Sequence, residues 1–277
     1  MQIQSLDIRP ISGSLGAEIH GIDLAQDLPA DTVLGIRRAL LDHLVVFFRG
    51  QDLTSERFLG FSRRLGTPIE YPFVKGIDGY PEIIAVTKLP HQTINFGGAW
   101  HSDTTYLPEP PMATLLLAQE LPTHGGDTQF ANQYLAYETL SDEMKRILGG
   151  LRGLSRSDKA EASRTREDRA RNDGSPRTVL SAEHPVVRTH PETGRKALFV
   201  NIAHTVRFVG MTDEESAPLL QFLWRHQTRP ELTCRFRWTA GSLAIWDNRC
   251  VQHSAVNDYH GQTRVMHRIT LAGDKPV

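Results

Sequence analysis

The chain has 277 residues, 39% of them hydrophobic and 23% charged, and a formal net charge of −1. Acids and bases are interspersed, which leaves no basic footprint for nucleic acid or for an anionic membrane, so any anionic ligand must be held by a few local bases. Only Cys234 and Cys250 are present, outside any metal-finger spacing, no apolar run reaches membrane-spanning length, and Met1 to Gln4 does not open a signal peptide, so a cytoplasmic, reducing location is expected.

From Leu6 to Leu24, short apolar pieces broken by Gly13, Gly16 and Gly21 read as two brief strands and a turn. Val33, Ile36, Leu40 and Leu41 then recur at helical spacing, with Asp31 able to cap the start. The run Leu44 to Phe48 reads as a buried strand ended by Gly50, and Thr54 heads a second helix through Phe58, Leu59, Ser62 and Leu65, closed by Gly66. A strand is expected at Glu82 to Val86, followed by a polar, Gly-containing stretch over 88–99 that suits a lid.

Met112 to Ala118 is a further strand, and Gly125-Gly126-Asp127-Thr128 is a turn feeding another. Ser141 heads a short helix through Met144 and Ile147 to Gly149. Residues 156–178 crowd charges with almost no large apolar residue, so they form either an exposed insertion or a gating lid. His184 to Val200 reads as a hairpin, and Thr212 to Glu215 as a capping box opening a helix that contains Pro218. After Pro230, strands are expected at Thr233 to Trp238, Ser242 to Trp246, Val251 to Ala255 and Arg264 to Leu271. Many short strands, few helices and no regular β-α alternation imply one mainly-β domain over 1–277, a double-sheet barrel or jelly roll flanked by helices.

Chemistry enters at Trp100-His101-Ser102-Asp103. In an extended segment, residues two apart point the same way, so His101 and Asp103 present an imidazole and a carboxylate to one point. These are two members of the two-His-one-carboxylate triad that holds non-haem Fe(II) and leaves positions open. A chain with 12 histidines produces such a pair by chance, so the third ligand carries the weight. His253, following the strand at Ser242 to Trp246 among small and apolar neighbours, is a candidate, although a lone histidine there is more often a satisfied core residue. Arg264 and Arg268 share one strand face while Val265, His267 and Ile269 share the other. Arginine suits planar carboxylates and sulfonate-like groups.

Taken together, His101-Ser102-Asp103, Gly125 to Thr128, Trp246-Asp247-Asn248-Arg249, His253 and Arg264 through Arg268 resemble the taurine dioxygenase (TauD/TfdA) family of Fe(II)- and 2-oxoglutarate-dependent dioxygenases. The resemblance runs from about Leu6 to Lys275 and implies a double-stranded β-helix core. It implies that His101, Asp103 and His253 bind iron, that Arg264 and Thr128 hold the far carboxylate of 2-oxoglutarate, and that Arg268 meets an anionic primary substrate. Three protein ligands would leave two positions for the 2-oxoacid and one for O2, with succinate and CO2 as co-products of hydroxylation. Trp100 and Trp246 are expected to pack near the site. A homo-oligomer, dimer or tetramer, with no nucleic-acid or membrane partner, completes the expectation.

The resemblance is imperfect where the taurine amine would bind. The positions that meet it fall on or near Tyr71 and at Gly97, and an aromatic residue beside the anion is replaced by His204. An ammonium buried without partners is costly, so a sulfonate, sulfate ester or aryloxyalkanoate is expected rather than taurine itself. Tyr71, Phe73, Gly97 and His204 are the expected determinants of the substrate's tail. Two other readings compete: a Zn2+ hydrolase using the same triad, which would have no use for Arg264 and Thr128, and a non-catalytic anion-binding barrel, which would be expected to have lost a ligand.

Overall fold

Alternation along the strands decides how the chain layers. The computed structural model describes residues 6–159 and 178–277. Strands β1 (Asp7–Pro10) and β2 (Ala17–His20) lead into helix α1 (Ala30–His43), strand β3 (Val45–Phe48) and helix α2 (Ser55–Leu65). Next come β4 (Pro68–Ile69), β5 (Ile83–Lys88), β6 (Ala113–Glu120) and β7 (Thr128–Asn132), then helices α3 (Gln133–Glu138) and α4 (Asp142–Leu148). Strands β8 (Arg152–Arg156), β9 (Ser181–Pro185), β10 (Val187–Thr189), β11 (Lys196–Leu198) and β12 (Thr205–Phe208) precede helix α5 (Asp213–His226). The last strands are β13 (Thr233–Phe236), β14 (Leu243–Asp247), β15 (Val251–Ala255) and β16 (Arg264–Leu271).

The large sheet runs β1-β2-β3-β14-β6-β16-β4, with β5 also paired to β16. Its outer face, including Val46, Phe48, Leu115, Leu117, Ile245 and Ile269, packs beneath Ile36, Leu40, Phe58 and Leu59 of α1 and α2. Its inner face, including Phe47, Leu116, Trp246 and Met266, meets Phe130 and Phe236 of the small sheet β13-β7-β15. Phe47 and Phe236 stack with ring centroids 3.9 Å apart. Two facing sheets, antiparallel except where β2 runs parallel to β3, make the jelly-roll core that the strand count implied. A third layer, built from β8, β9, β12 and the β10–β11 hairpin, closes over α3, α4 and α5 around Leu148, Leu198, Phe208 and Leu223. No helix among the described residues is long and apolar enough to cross a membrane.

Most element ends follow the expected caps. Thr54 accepts the Arg57 amide, Ser141 accepts that of Met144, and Thr212 and Glu215 exchange both bonds of a capping box. Pro218 lies inside α5 without ending it, because the capped start and the buried Leu220 and Leu223 outweigh one missing hydrogen bond. Asp31 is not a cap: Pro29 stands there, and Asp31 sits in the first turn where its charge favours the helix dipole. Gly66 is extended, and its lack of a side chain matters for packing, since a Cβ would stand 3.2 Å from Met112 Cε.

Strands β8, β9 and β12 and helix α3 were not expected. Arg152–Arg156 reads Arg-Gly-Leu-Ser-Arg, with one large apolar residue and no alternation to detect. Of the charged stretch 156–178, residues 160–177 lie outside the described residues.

Candidate active site

His101 lies outside any long strand, yet its backbone pairs with the middle of β15. Its N–H donates to the His253 carbonyl at 3.0 Å, and the His253 N–H returns the bond at 2.8 Å. This reciprocal pair sets the two imidazoles side by side, with centroids 4.1 Å apart. Asp103, two residues on, brings Oδ1 to 3.6 Å from His101 Nε2 and 3.8 Å from His253 Nε2. All three side chains are buried, and one ligand atom from each lies within 4.8 Å of the others. A dication about 2.1 Å from each donor fits that spacing.

The protonation states also suit a metal. His101 Nδ1 lies 2.7 Å from the Ala99 carbonyl and donates to it, which turns the Nε2 lone pair toward the site. Burial lowers the pKa of His101 despite the opposing charge of Asp103, and it lowers that of His253 well below the ordinary value. Burial alone would raise Asp103, but the charges of Arg268, His253 and His101 and a hydrogen bond from Thr114 outweigh it and hold the group as a carboxylate.

The Trp246 to Arg249 motif supports this carboxylate from behind. Thr114 donates to Asp103 Oδ2 at 2.6 Å, Asn248 Nδ2 donates to Thr114 Oγ1 at 2.9 Å, and Trp246 Nε1 donates to Asn248 Oδ1 at 3.0 Å. Arg249 closes a bidentate pair on Asp247, which His190 also contacts at 3.0 Å. No sequence pattern marks Thr114 or the supporting role of Asn248, although Asn248 lies inside the Trp246 to Arg249 motif. Trp246 packs 4.5 Å from the His253 ring, as expected. Trp100 lines a separate cleft with Ile202, Trp224 and Gln252.

Two cavities adjoin the three ligands and share Phe96, Gly97, His101 and Arg268 in their walls. The first runs from His101 and His253 to Thr128 and Arg264. Arg264 is 4% exposed, and burial lowers its pKa. Neither its Nε nor its Nη2 has a hydrogen-bond partner among the described residues. A buried guanidinium with idle donors is what a planar carboxylate satisfies. Thr128 Oγ1 accepts from Trp238 Nε1 at 3.0 Å, which leaves its own hydrogen to give. The turn glycine Gly126 (φ +70) presses against Arg264, and a Cβ there would stand 3.2 Å from its Cδ. Two imidazoles, one carboxylate and this unpaired guanidinium fit Fe(II) with a chelating 2-oxoacid whose far end reaches Arg264.

The second cavity is walled by Tyr71, Phe96, Tyr106, Ala203, His204 and Arg268. Phe73 does not line it; its ring packs behind, 6.2 Å from Tyr71 and 5.7 Å from Tyr106. Gly97 contributes by having no side chain: φ is +73, and a Cβ would approach His101 Cε1 to 3.2 Å. Thr104 has φ +41, a region a β-branched residue rarely adopts, and the bend turns Thr105 toward His204. Asn201 Oδ1 accepts the His204 backbone N–H at 2.8 Å, so its Nδ2 donates to Thr105 Oγ1 at 3.2 Å. The Thr105 hydroxyl and His204 Nδ1 share a hydrogen bond at 3.0 Å, which fixes the orientation of the imidazole. Phe96, Tyr106 and Ala203 were not anticipated, because nothing in their spacing marks them. The loop over 89–99 is tied to the end of β15: Asn95 Nδ2 donates to the Ala255 carbonyl, the Ala255 N–H donates to the Gly97 carbonyl, and Ser254 donates to the Gly98 carbonyl.

Comparison with known proteins agrees with this geometry. The profile of the family described as taurine catabolism dioxygenase TauD, TfdA family, matches residues 7–270. An alpha-ketoglutarate-dependent sulfate ester dioxygenase of Pseudomonas putida is 39% identical over 98% of this chain and 91% of its own. An alkylsulfatase of Acinetobacter baylyi is 38% identical over 98% of this chain and 86% of its own. Among solved structures, a taurine dioxygenase from Burkholderia xenovorans superposes with a TM-score of 0.84 at 40% identity, covering 99% of this chain and 91% of that one. AAD-2 in complex with Mn(II) and N-oxalylglycine superposes with a TM-score of 0.81 at 27% identity, covering 98% of both chains. With the His-Asp-His cluster, the unpaired arginine and a profile match over nearly its whole length, this chain belongs to the TauD/TfdA family of alpha-ketoglutarate-dependent dioxygenases.

Proposed function

We propose that this protein hydroxylates a small organic anion in an Fe(II)- and 2-oxoglutarate-dependent reaction, with a sulfate ester as the first substrate to try ahead of a sulfonate or an aryloxyalkanoate. The observation that carries the substrate class is Arg268, 3% exposed, whose Nε and Nη2 have no hydrogen-bond partner among the described residues. It faces a cavity whose only acidic wall residue is Asp103. The His204 imidazole lines the same cavity and is assigned here as a second group for the anion, and Phe96, Tyr106 and Ala203 offer an apolar wall to the tail. With Asp103 assigned to the metal, no carboxylate among the described lining residues is left for an ammonium, which disfavours taurine. The sulfate-ester choice draws on the sulfate ester dioxygenase and the alkylsulfatase described above, 39% and 38% identical to this chain.

In this reading His101, Asp103 and His253 hold the metal, and Arg264 and Thr128 seat the far carboxylate of 2-oxoglutarate. Iron and 2-oxoglutarate supply the oxidising chemistry when bound, consuming O2 and releasing succinate and CO2. Arg268 and His204 grip the substrate anion and so place the adjoining C–H toward the three ligands, while Tyr71, Phe96 and Tyr106 exclude water. Hydroxylation at the carbon bearing a sulfate ester yields a product that collapses to an aldehyde and inorganic sulfate. A cytoplasmic homo-oligomer, dimer or tetramer, with loop 89–99 covering the site, belongs to the same reading.

The test is succinate release from a panel of alkyl sulfates, alkyl sulfonates, aryloxy acids and taurine, under air with Fe(II) and ascorbate. Alkyl sulfates should lead, with aldehyde formed in step with succinate. Preference for taurine would overturn the substrate class, and failure of every compound to drive 2-oxoglutarate consumption would overturn the activity.

A further inference from the structure

The Asp103 oxygen that faces both histidines is also the one nearest Arg268. Arg268 Nη2 lies 2.9 Å from Oδ1, closer than either imidazole nitrogen at 3.6 and 3.8 Å. The other oxygen is already engaged: Oδ2 accepts the Thr114 hydroxyl at 2.6 Å, and Thr114 is itself held by Asn248, so Oδ1 is the oxygen turned to the histidines. The contact is one of charge without a directed hydrogen bond: Nη2 stands within reach of Oδ1, yet neither Nη2 nor Nε completes a bond among the described residues. Arg268 is thus shared. Its charge falls on a metal ligand while its donors stay free for the second cavity.

The backbone of Arg268 has little freedom to relieve this conflict. It sits in the interior of β16, paired with Ile84 of β5 on one side and Leu116 of β6 on the other. The guanidinium lies 5.2 Å from the Tyr71 ring. A dication at Oδ1 and the guanidinium at Oδ1 carry like charge in a site from which water is largely removed, so each weakens the hold of the other on that oxygen.

We propose that Arg268 couples metal affinity to occupancy of the substrate anion seat. Without an anion, the guanidinium opposes a dication at Asp103. An anion that takes Nε and Nη2 cancels that charge and draws it toward the second cavity, so metal and anion tighten one another. Linkage requires the same factor in both directions, and about tenfold is expected for a coupling of this kind. This inference rests on the metal and anion assignments above, and Arg268 acts in it as a positioning residue through Asp103.

The experiment measures Mn(II) affinity of the metal-stripped full chain by the EPR signal of free Mn(II), with and without saturating hexyl sulfate and with no 2-oxoglutarate. In the unsubstituted protein, hexyl sulfate should tighten Mn(II) by about tenfold, and Mn(II) should tighten hexyl sulfate by the same factor. Arg268→Met should bind Mn(II) more tightly than the unsubstituted protein, and hexyl sulfate should leave that affinity unchanged. Arg268→Lys, which keeps the charge, should behave like the unsubstituted protein. Arg268→Gln provides a second neutral variant should the methionine variant unfold, as judged by circular dichroism. Equal or weaker Mn(II) binding in the folded neutral variants overturns the inference, as does an unchanged Mn(II) affinity when hexyl sulfate is demonstrably bound. Failure of hexyl sulfate to bind at all, with Mn(II) tighter in the neutral variants, would sink the sulfate-ester reading while supporting the opposition of Arg268 to the metal.

Discussion

Thr114→Val should uncouple the metal seat from its support with almost no change in side-chain shape. Thr114 is fully buried, and its hydroxyl sits between two partners: it donates to Asp103 Oδ2 at 2.6 Å and accepts from Asn248 Nδ2 at 2.9 Å. The first is a hydrogen bond to a charged group, of about 1.5–3 kcal/mol, and the second leaves an amide donor unpaired at about 1–3 kcal/mol. The two losses share one oxygen and do not add fully, so unfolding free energy should fall by about 3 kcal/mol. The effect on the metal is separable. With Oδ2 released, the carboxylate can rotate, and outer-shell losses of this kind weaken metal affinity about 10–100-fold. Urea unfolding of the metal-stripped chain measures the first effect, and Mn(II) titration followed by EPR measures the second. Thr114→Ser, which keeps the hydroxyl, should recover most of the metal affinity. If the valine variant loses stability as expected yet binds Mn(II) within twofold of the parent, then Thr114 does not orient Asp103 and the reasoning is wrong.

Gly126→Ala adds a Cβ at φ +70 that stands 3.2 Å from Arg264 Cδ and 3.3 Å from its Nε. Backbone strain of about 1–2 kcal/mol should lower the unfolding temperature, and displacement of the guanidinium should raise the KM for 2-oxoglutarate about tenfold while Mn(II) affinity holds; an unchanged KM would detach the turn from the co-substrate. His184 donates from Nε2 to the carbonyls of Thr105 (2.9 Å) and Leu107 (3.0 Å), and burial pushes its pKa from 6.5 down to about 4. The unfolded chain therefore takes up the proton first as pH falls, so this contribution is complete above pH 6.5 and is lost progressively toward pH 4. Urea unfolding at pH 7 and pH 5 should show a loss about 2 kcal/mol larger in the parent than in His184→Gln; equal losses would refute the assignment. His204→Phe removes the imidazole from the second cavity and should reduce kcat/KM for alkyl sulfates about tenfold, with Mn(II) affinity unchanged; an unaltered substrate profile would remove His204 from anion recognition.

The parts of the site that were legible in the sequence are those where chain periodicity does the positioning. His101 and Asp103 share a side because the segment between them is extended, and Arg264 and Arg268 share a side because β16 alternates. Their burial follows from β16 lying between β5 and β6, so both arginines enter the space between the sheets. Thr114 was invisible for the opposite reason. It reads as one more β-branched residue in an apolar strand, and only the lateral order β14-β6-β16 brings it beside Asp103 and Asn248. Tyr106, Phe96 and Ala203 come from irregular segments, whose course is settled by tertiary hydrogen bonds that no local pattern records. Gly97 lines both cavities and lies close to the His101 ring, a proximity that the sequence could not show.

The two-way hydrogen bond between the backbones of His101 and His253 has a biological corollary. Because the imidazoles are stitched together by main chain, their spacing is set by strand pairing and does not depend on an ion to draw them together. Ion choice therefore cannot be enforced through folding free energy, as it is in modules that are unfolded without zinc. Nitrogen donors favour copper(II) and zinc over iron(II), so which cation fills this cradle is decided by what its surroundings leave free. The activity of a given preparation should track its exposure to metals more closely than its folded fraction.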